Sequence, residues 1–290
     1  MRKIGALEAG GTKMVLAVYQ DNGIKLEEQT IPTEDPSVTM PKMAGFFREN
    51  QIDALGVGSF GPLDLDPQSP TYGNITSTPK LAWRNYPLLK GLLDGRDIPA
   101  AIDTDVNAAI IAEKELGAAR GCQNAVYVTV GTGIGGGVLC NGRPVHGMLH
   151  PEVGHMLLRP HPDDPNPRGV CPYHDGCLEG LAAGPAIGAR IGGDARLLAD
   201  DHPTFAIEAH YLAQMCVNLI MTLSPERIIL RGGVMQRKAL LPMIRRETQR
   251  LLGGYVQTSQ VLEHMDQYIV FPELFPLSGL VGAYLLGLHA

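Results

Sequence analysis

Two glycine-rich hairpins restrict what this chain can fold into more than any other feature. The first runs from Ile4 to Leu7, turns at Ala9-Gly10-Gly11-Thr12-Lys13, and returns along Val15-Leu16-Ala17-Val18-Tyr19. The second runs from Ala125 to Val130, turns through Gly131 to Gly137, and returns along Val138-Leu139-Cys140. Apolar runs joined by such turn residues specify hairpins. Two copies about half a chain apart amount to a weak internal duplication. They predict an α/β protein of two lobes, and 290 residues exceed the usual size of a single core.

The segments between the hairpins extend this frame. Asp21-Asn22-Gly23 supplies a further turn, residues 24–31 a third strand, Met40 to Glu49 a helix, and Ala54 to Gly58 a buried strand ending at Ser59-Phe60-Gly61-Pro62. Asp103 to Ala119 carries Ala, Ile and Leu at helical spacing. His210 to Leu223 is the best amphipathic segment, and its Met and Leu residues read as core or dimer interface. Ile228-Ile229-Leu230 is a buried strand running into Arg231-Gly232-Gly233. Ser278 to His289 is small and apolar, begins with a plausible cap at Ser278, and is expected to pack back on the first lobe. The expected division is a small lobe of residues 1–117 joined by 278–290, and a large lobe of residues 118–277.

Composition narrows the function classes. The formal charge of −6 argues against a nucleic-acid surface, which shows basic clustering. No apolar run is long enough to span a membrane, and Met1-Arg2-Lys3-Ile4 leads directly into a strand, so a cytoplasmic protein is expected. The five cysteines are an odd number that fits a reducing compartment better than a disulfide framework.

The stretch from Glu152 to Glu179 carries the densest chemistry. His155, Cys171, His174 and Cys177 are the ligand types and number of a closed tetrahedral Zn²⁺ site. Bound metal would fix Glu152 and Glu179, each two or three residues from a ligand, and would order the loop between His155 and Cys171. His161 is the rival fourth ligand, but it lies in a polar Pro-rich run, whereas His155 belongs to the Glu-x-Gly-His turn. Four protein ligands leave no open position for a hydrolytic water.

Gly10-Gly11-Thr12-Lys13 and Gly131-Thr132-Gly133-Ile134-Gly135 have the composition of phosphate cradles, because glycine lets several backbone N–H groups converge on an anion. Neither fits the P-loop or dinucleotide pattern, since no helix follows the turn. Gly232-Gly233 is a third such turn. Asp105 stands at a strand-to-helix junction, where a carboxylate can take the proton of a substrate hydroxyl during phosphoryl transfer. Asp103 is expected to be a helix N-cap. Glu8, beside the first turn, is placed to order a water on Mg²⁺.

Taken in order, Glu8-Ala-Gly-Gly-Thr-Lys13, Ser59-Phe-Gly-Pro-Leu-Asp64, Asp103-Thr-Asp-Val-Asn107, Gly131-Thr-Gly-Ile-Gly-Gly-Gly137, Glu152-Val-Gly-His155, Cys171 to Glu179 and Gly232-Gly233 resemble the ROK family of sugar kinases, in its fructokinase branch. The resemblance implies the actin/hexokinase-like ATPase fold, two ribonuclease-H-like lobes closing on ATP and sugar, and a homodimer. It implies Asp105 as general base, and Glu152, His155 and Glu179 as holders of sugar hydroxyls. Thr132 with Gly133, Gly135 and the glycines of both turns would contact phosphates, and Pro185 with Gly232-Gly233 would flank the adenosine. Asn74, Thr76 and Thr104 are further candidates on the sugar, and Trp83 is a candidate for the cleft rim, although a lone Trp is more often packing.

Three departures from the family pattern stand out. His174 occupies a position where many members have cysteine, as in fructokinases. Thr104 replaces the Asn usual in the glucokinases, which disfavours glucose, and Pro151 replaces a common Gly. The implied activity is ATP-dependent conversion of D-fructose to fructose 6-phosphate, with Mg²⁺ on the nucleotide and structural Zn²⁺. A broader manno/glucokinase is the alternative. Regulators of the same family carry a helix-turn-helix ahead of the first hairpin, where this sequence already enters its first strand.

Overall fold

The computed structural model describes residues 1–290 and divides them into two compact units. The first comprises Met1–Gly117, Pro144–His150 and Leu274–Ala290, and the second comprises Ala118–Arg143 and Pro151–Glu273.

In the first unit, β1 (Lys3–Ala9) and β2 (Lys13–Gln20) form the first hairpin, and β3 (Lys25–Pro32) pairs outside it. Helix α1 (Pro36–Glu49) begins at Asp35, whose carboxylate accepts from Ser37 N–H, and leads into β4 (Ala54–Ser59). After α2 (Leu88–Leu93) come β5 (Ala100–Thr104) and α3 (Asp105–Leu116). The sheet order is β3-β2-β1-β4-β5, with β1, β4 and β5 parallel. Helix α10 (Ser278–Leu288) lies on this sheet so closely that a Cβ at Gly56 would sit 1.8 Å from the Ala283 carbonyl oxygen. Ile4, Leu7, Leu16, Leu55 and Val57 are fully buried, and burying each such side chain contributes about 1.5–3 kcal/mol.

In the second unit, β6 (Ala125–Val130) and β7 (Ile134–Cys140) form the second hairpin, followed by the short β8 (Arg143–Pro144). Helices α4 (Leu178–Ala182), α5 (Gly184–Ile191) and α6 (Thr204–Leu223) precede β9 (Arg227–Arg231). Then come α7 (Leu240–Leu252), α8 (Ser259–Leu262), α9 (Met265–Tyr268) and β10 (Ile269–Val270). The sheet order is β10-β9-β6-β7-β8. Both units thus have a five-stranded sheet in which one antiparallel hairpin is extended on one side by two parallel strands. The internal duplication seen in the two turns is therefore a duplication of architecture.

Two local expectations are corrected. Thr104, not Asp103, caps α3, because its hydroxyl oxygen accepts from Asn107 N–H at 3.1 Å. Ser278 does not cap α10; it is the first helical residue, and its hydroxyl donates to Glu113 at 2.7 Å, tying α10 to α3. No helix is long and apolar enough to cross a membrane.

Candidate active site

In the first unit, the C-terminal ends of the parallel strands gather the candidate residues. The register places Glu8 beside Gly58, and Ser59 beside both Ala9 and Thr104. Glu8, the turn Gly10–Lys13 and Asp105 therefore lie at one edge of one sheet, the edge where open α/β sheets bind ligands. Gly11, Thr12 and Lys13 are exposed, and Gly10 N–H donates to the Lys13 carbonyl at 3.0 Å. Asp105 opens α3, with one carboxylate oxygen accepting its neighbour Val106 N–H at 3.0 Å. Thr104 is 3% exposed and its oxygen is committed to the cap, which argues against a direct sugar contact. Asn74 and Thr76 are half-buried, and the Thr76 hydroxyl donates to the Pro62 carbonyl. Trp83 is a packing residue: it is 2% exposed, lies against Phe60 and Tyr86, and donates its indole N–H to the Glu34 carbonyl.

Sequence reading missed a cluster beside Asp105. Asp103 Oδ1 accepts from Thr104 N–H and Asn107 Nδ2, both at 2.7 Å, and Asp103 Oδ2 lies 3.0 Å from His146 Nε2. The hydrogen bond to Asp103 raises the His146 pKa. No motif links residues 43 positions apart.

In the second unit, the β6–β7 turn meets two other elements. Gly184 N–H donates to the Gly131 carbonyl at 2.7 Å, which seats the start of α5 on the turn. Glu179, in α4, accepts Ile134 N–H on Oε2 at 2.8 Å, and a Cβ at Gly133 would stand 2.7 Å from that oxygen. The Glu-x-Gly-His turn is seated as tightly, since a Cβ at Gly154 would come 2.0 Å from the Ile134 carbonyl oxygen. Glu152 keeps solvent access, but the protein around its carboxyl and the nearby Glu179 carboxylate push its pKa up to about 6.

A cavity of about 1140 Å³ opens beside this turn, lined by Gly131, Thr132, Pro185, Gly233 and the loop from Gly193 to Asp200. Its size suits a nucleotide. Gly135 and Gly232 are not among its lining residues; Gly232, at φ +108°, lies against β6, where any Cβ would meet the Val130 backbone. Arg237, which no motif announced, ties the loop down. It pairs with Asp200, donates to the Ala195 and Leu198 carbonyls at 3.1 and 2.9 Å, and stacks 4.0 Å from the Phe205 ring.

The four proposed metal ligands converge. The donor atoms of His155, Cys171, His174 and Cys177 all lie within 4.8 Å of one another. Cys171 Sγ is 3.9 Å from His155 Nδ1 and 3.8 Å from His174 Nδ1, and Cys177 Sγ is 3.8 Å from His155 Nδ1. A Zn²⁺ tetrahedron with ordinary bond lengths has S···N edges of about 3.6 Å, so the cage fits that ion with little contraction. Burial pushes the Cys177 thiol up to about 11, a preference for the neutral form that a bound cation reverses. His161 lies elsewhere, packed edge-on against His210.

Similarity to known proteins runs along almost the whole chain. A model described as the ROK family matches residues 4–289. A fructokinase of Pediococcus pentosaceus is 43% identical, with 98% of this chain and 96% of that protein covered. A fructokinase of Zymomonas mobilis is 41% identical, with 99% and 96% covered. Among solved structures, a ROK hexokinase from Thermus thermophilus superposes with a TM-score of 0.74 at 27% identity, covering 98% of this chain and 97% of that one.

Proposed function

The chain belongs to the ROK family, and from that premise we propose that it phosphorylates D-fructose at its terminal hydroxyl, giving fructose 6-phosphate and ADP. The observation that carries the reading is the nucleotide-sized cavity ending at Gly131-Thr132, on the turn that also fixes Glu179. In this reading Asp105 accepts the proton of the terminal hydroxyl as its oxygen attacks the γ-phosphorus, and ADP leaves with the electrons of the broken P–O bond. Glu152 and Glu179 accept hydrogen bonds from other sugar hydroxyls. His155 directs Nδ1 to the two thiols, which reserves Nε2 for the sugar.

Thr132, Pro185 and Gly233 hold the nucleotide in the cavity, with Arg237 bracing its wall. The turn Gly10–Lys13 has the composition to bind a phosphate, and half-buried Glu8 beside it is placed to accept from a water of the Mg²⁺ that accompanies ATP. Structural Zn²⁺ held by His155, Cys171, His174 and Cys177 orders the loop that leads into α4 and Glu179. We further infer a cytoplasmic homodimer, in keeping with five unpaired thiols and consumption of ATP.

The test is sugar-dependent ADP release with fructose, mannose and glucose in parallel. Fructose should lead. Comparable rates on mannose and glucose would replace the fructokinase reading by a broad hexokinase.

A further inference from the structure

Lys80 belongs to no motif, yet the fold places it against the first glycine turn. Its Cε would lie 3.4 Å from a Cβ on Gly11, so the side chain passes beside that glycine. Its ammonium stands 6.0 Å over the ring of Phe60, in the Ser59-Phe60-Gly61 segment that continues β4.

Three lysines in the chain are half-buried: Lys3, Lys80 and Lys114. Lys3 donates to the Asn50 carbonyl at 3.1 Å, and Lys114 pairs with Glu115 at 3.2 Å. Lys80 makes no ion pair and its ammonium has no oxygen partner. The contact with the Phe60 ring leaves the N–H donors of this ammonium available to an anion on the adjacent turn.

The backbone under Lys80 is held firmly, as a positioned charge requires. Lys80 N–H donates to the buried Thr78 hydroxyl at 3.3 Å, and Trp83 N–H donates to the Lys80 carbonyl at 2.8 Å. The single tryptophan is pinned in turn by its indole N–H on the Glu34 carbonyl and by Phe60 and Tyr86 on its ring. Burial of Trp83 therefore does more than fill the core, because it fixes the short turn that carries the ammonium.

We propose that Lys80 is a catalytic residue, the cation that binds the γ-phosphoryl group on the Gly10–Lys13 turn and stabilises its charge during transfer. This rests on the kinase reading above. Lys80 stays protonated throughout; the hydroxyl proton passes to Asp105, the sugar oxygen bonds to phosphorus, and the bond to the leaving ADP oxygen breaks with its electrons going to ADP. An ammonium acts here as a point charge, the role lysine commonly takes at phosphates.

The experiment uses Lys80→Met, which keeps the apolar stem against Phe60 and removes only the charge. Removing one such electrostatic contact should lower kcat/KM for ATP by about 100-fold, with KM for fructose changing less than about threefold. Titrations read by the fluorescence of Trp83 should show weaker binding of a non-hydrolysable ATP analogue with ADP affinity unchanged, since ADP lacks the γ-phosphoryl group. Lys80→Arg should recover part of the rate. Wild-type kcat/KM in folded Lys80→Met, or equal losses for ADP and the analogue, overturns the proposal. If Lys80→Met melts early, Lys80→Gln is read in the same way. Sugar-dependent turnover by the unsubstituted protein is measured alongside, so a failure of the kinase reading is told apart from a failure of the Lys80 assignment.

Discussion

Replacing Gly133 by Ala separates the catalytic role of the second turn from its structural one. The new Cβ would stand 2.7 Å from Glu179 Oε2, the oxygen that accepts Ile134 N–H at 2.8 Å. Gly133 does not occupy the left-handed region, so alanine suits its backbone, and the atom in the way is the far end of a flexible side chain. The carboxylate will swing aside and the fold will hold. What is lost is a hydrogen bond to a charged group, about 1.5–3 kcal/mol, which at about 1.4 kcal/mol per decade is roughly 10- to 100-fold in kcat/KM for the sugar. Steady-state kinetics with fructose varied at saturating ATP measure it, and thermal melting should fall by about 3–10 °C, as the loss of that bond from the folded state requires. In a Glu179→Ala background the same replacement should be nearly silent, because the pair acts as one unit. An undiminished effect in that background would refute the reasoning and assign the glycine to the phosphates. Gly154→Ala offers the contrast: its Cβ would meet the Ile134 backbone oxygen at 2.0 Å, so destabilisation and activity loss should come together.

Four further outcomes follow from the geometry. Cys177→Ser, or treatment with a strong chelator, should release one zinc per chain and lower the melting temperature, as metal analysis and calorimetry would show. Arg190 lies 3.3 Å from Asp164 and 3.4 Å from Glu208 with all three side chains buried, so Arg190→Ala leaves the buried Asp164 carboxylate without its cation and should cost about 3–5 kcal/mol in denaturant unfolding. Burial raises Glu208 to about 8, above its ordinary value when unfolded, so the unfolded chain loses this proton first; against Glu208→Gln, the unsubstituted protein should lose stability as pH rises from about 4.5 to 8. With Glu152 raised to about 6, the carboxylate proposed to accept sugar hydroxyls becomes protonated below that pH, and KM for fructose should climb as pH falls through about 6; Glu152→Gln should flatten that limb.

Much of the frame was legible because glycine is informative where backbones approach closely. The turns at Gly10-Gly11 and Gly131 to Gly137 marked both hairpins, around which the two sheets are built. The convergence of two cysteines and two histidines was legible because Cys-x2-His-x2-Cys is compact. Spacing alone did not reveal partners assembled by topology: Asp103 with His146, Lys80 with Gly11, and Arg237 with the loop of Ala195 and Leu198. Local rules also competed. At the start of α3, Asp103 and Thr104 are both good caps, and the tertiary bond of Asp103 to His146 left the cap to Thr104. At Ser278 the buried carboxylate of Glu113 claimed a hydroxyl that propensity assigns to a cap.

The measurement that bears most directly on the account is coupled ADP release by Asp105→Asn beside the unsubstituted protein, with fructose as acceptor and fructose binding followed by calorimetry. The account predicts turnover by the unsubstituted protein, led by fructose, and a loss of at least about 100-fold in kcat for the variant with fructose affinity nearly unchanged. Unchanged kcat in Asp105→Asn, or no sugar-dependent ADP release from the folded, zinc-loaded protein, would contradict it.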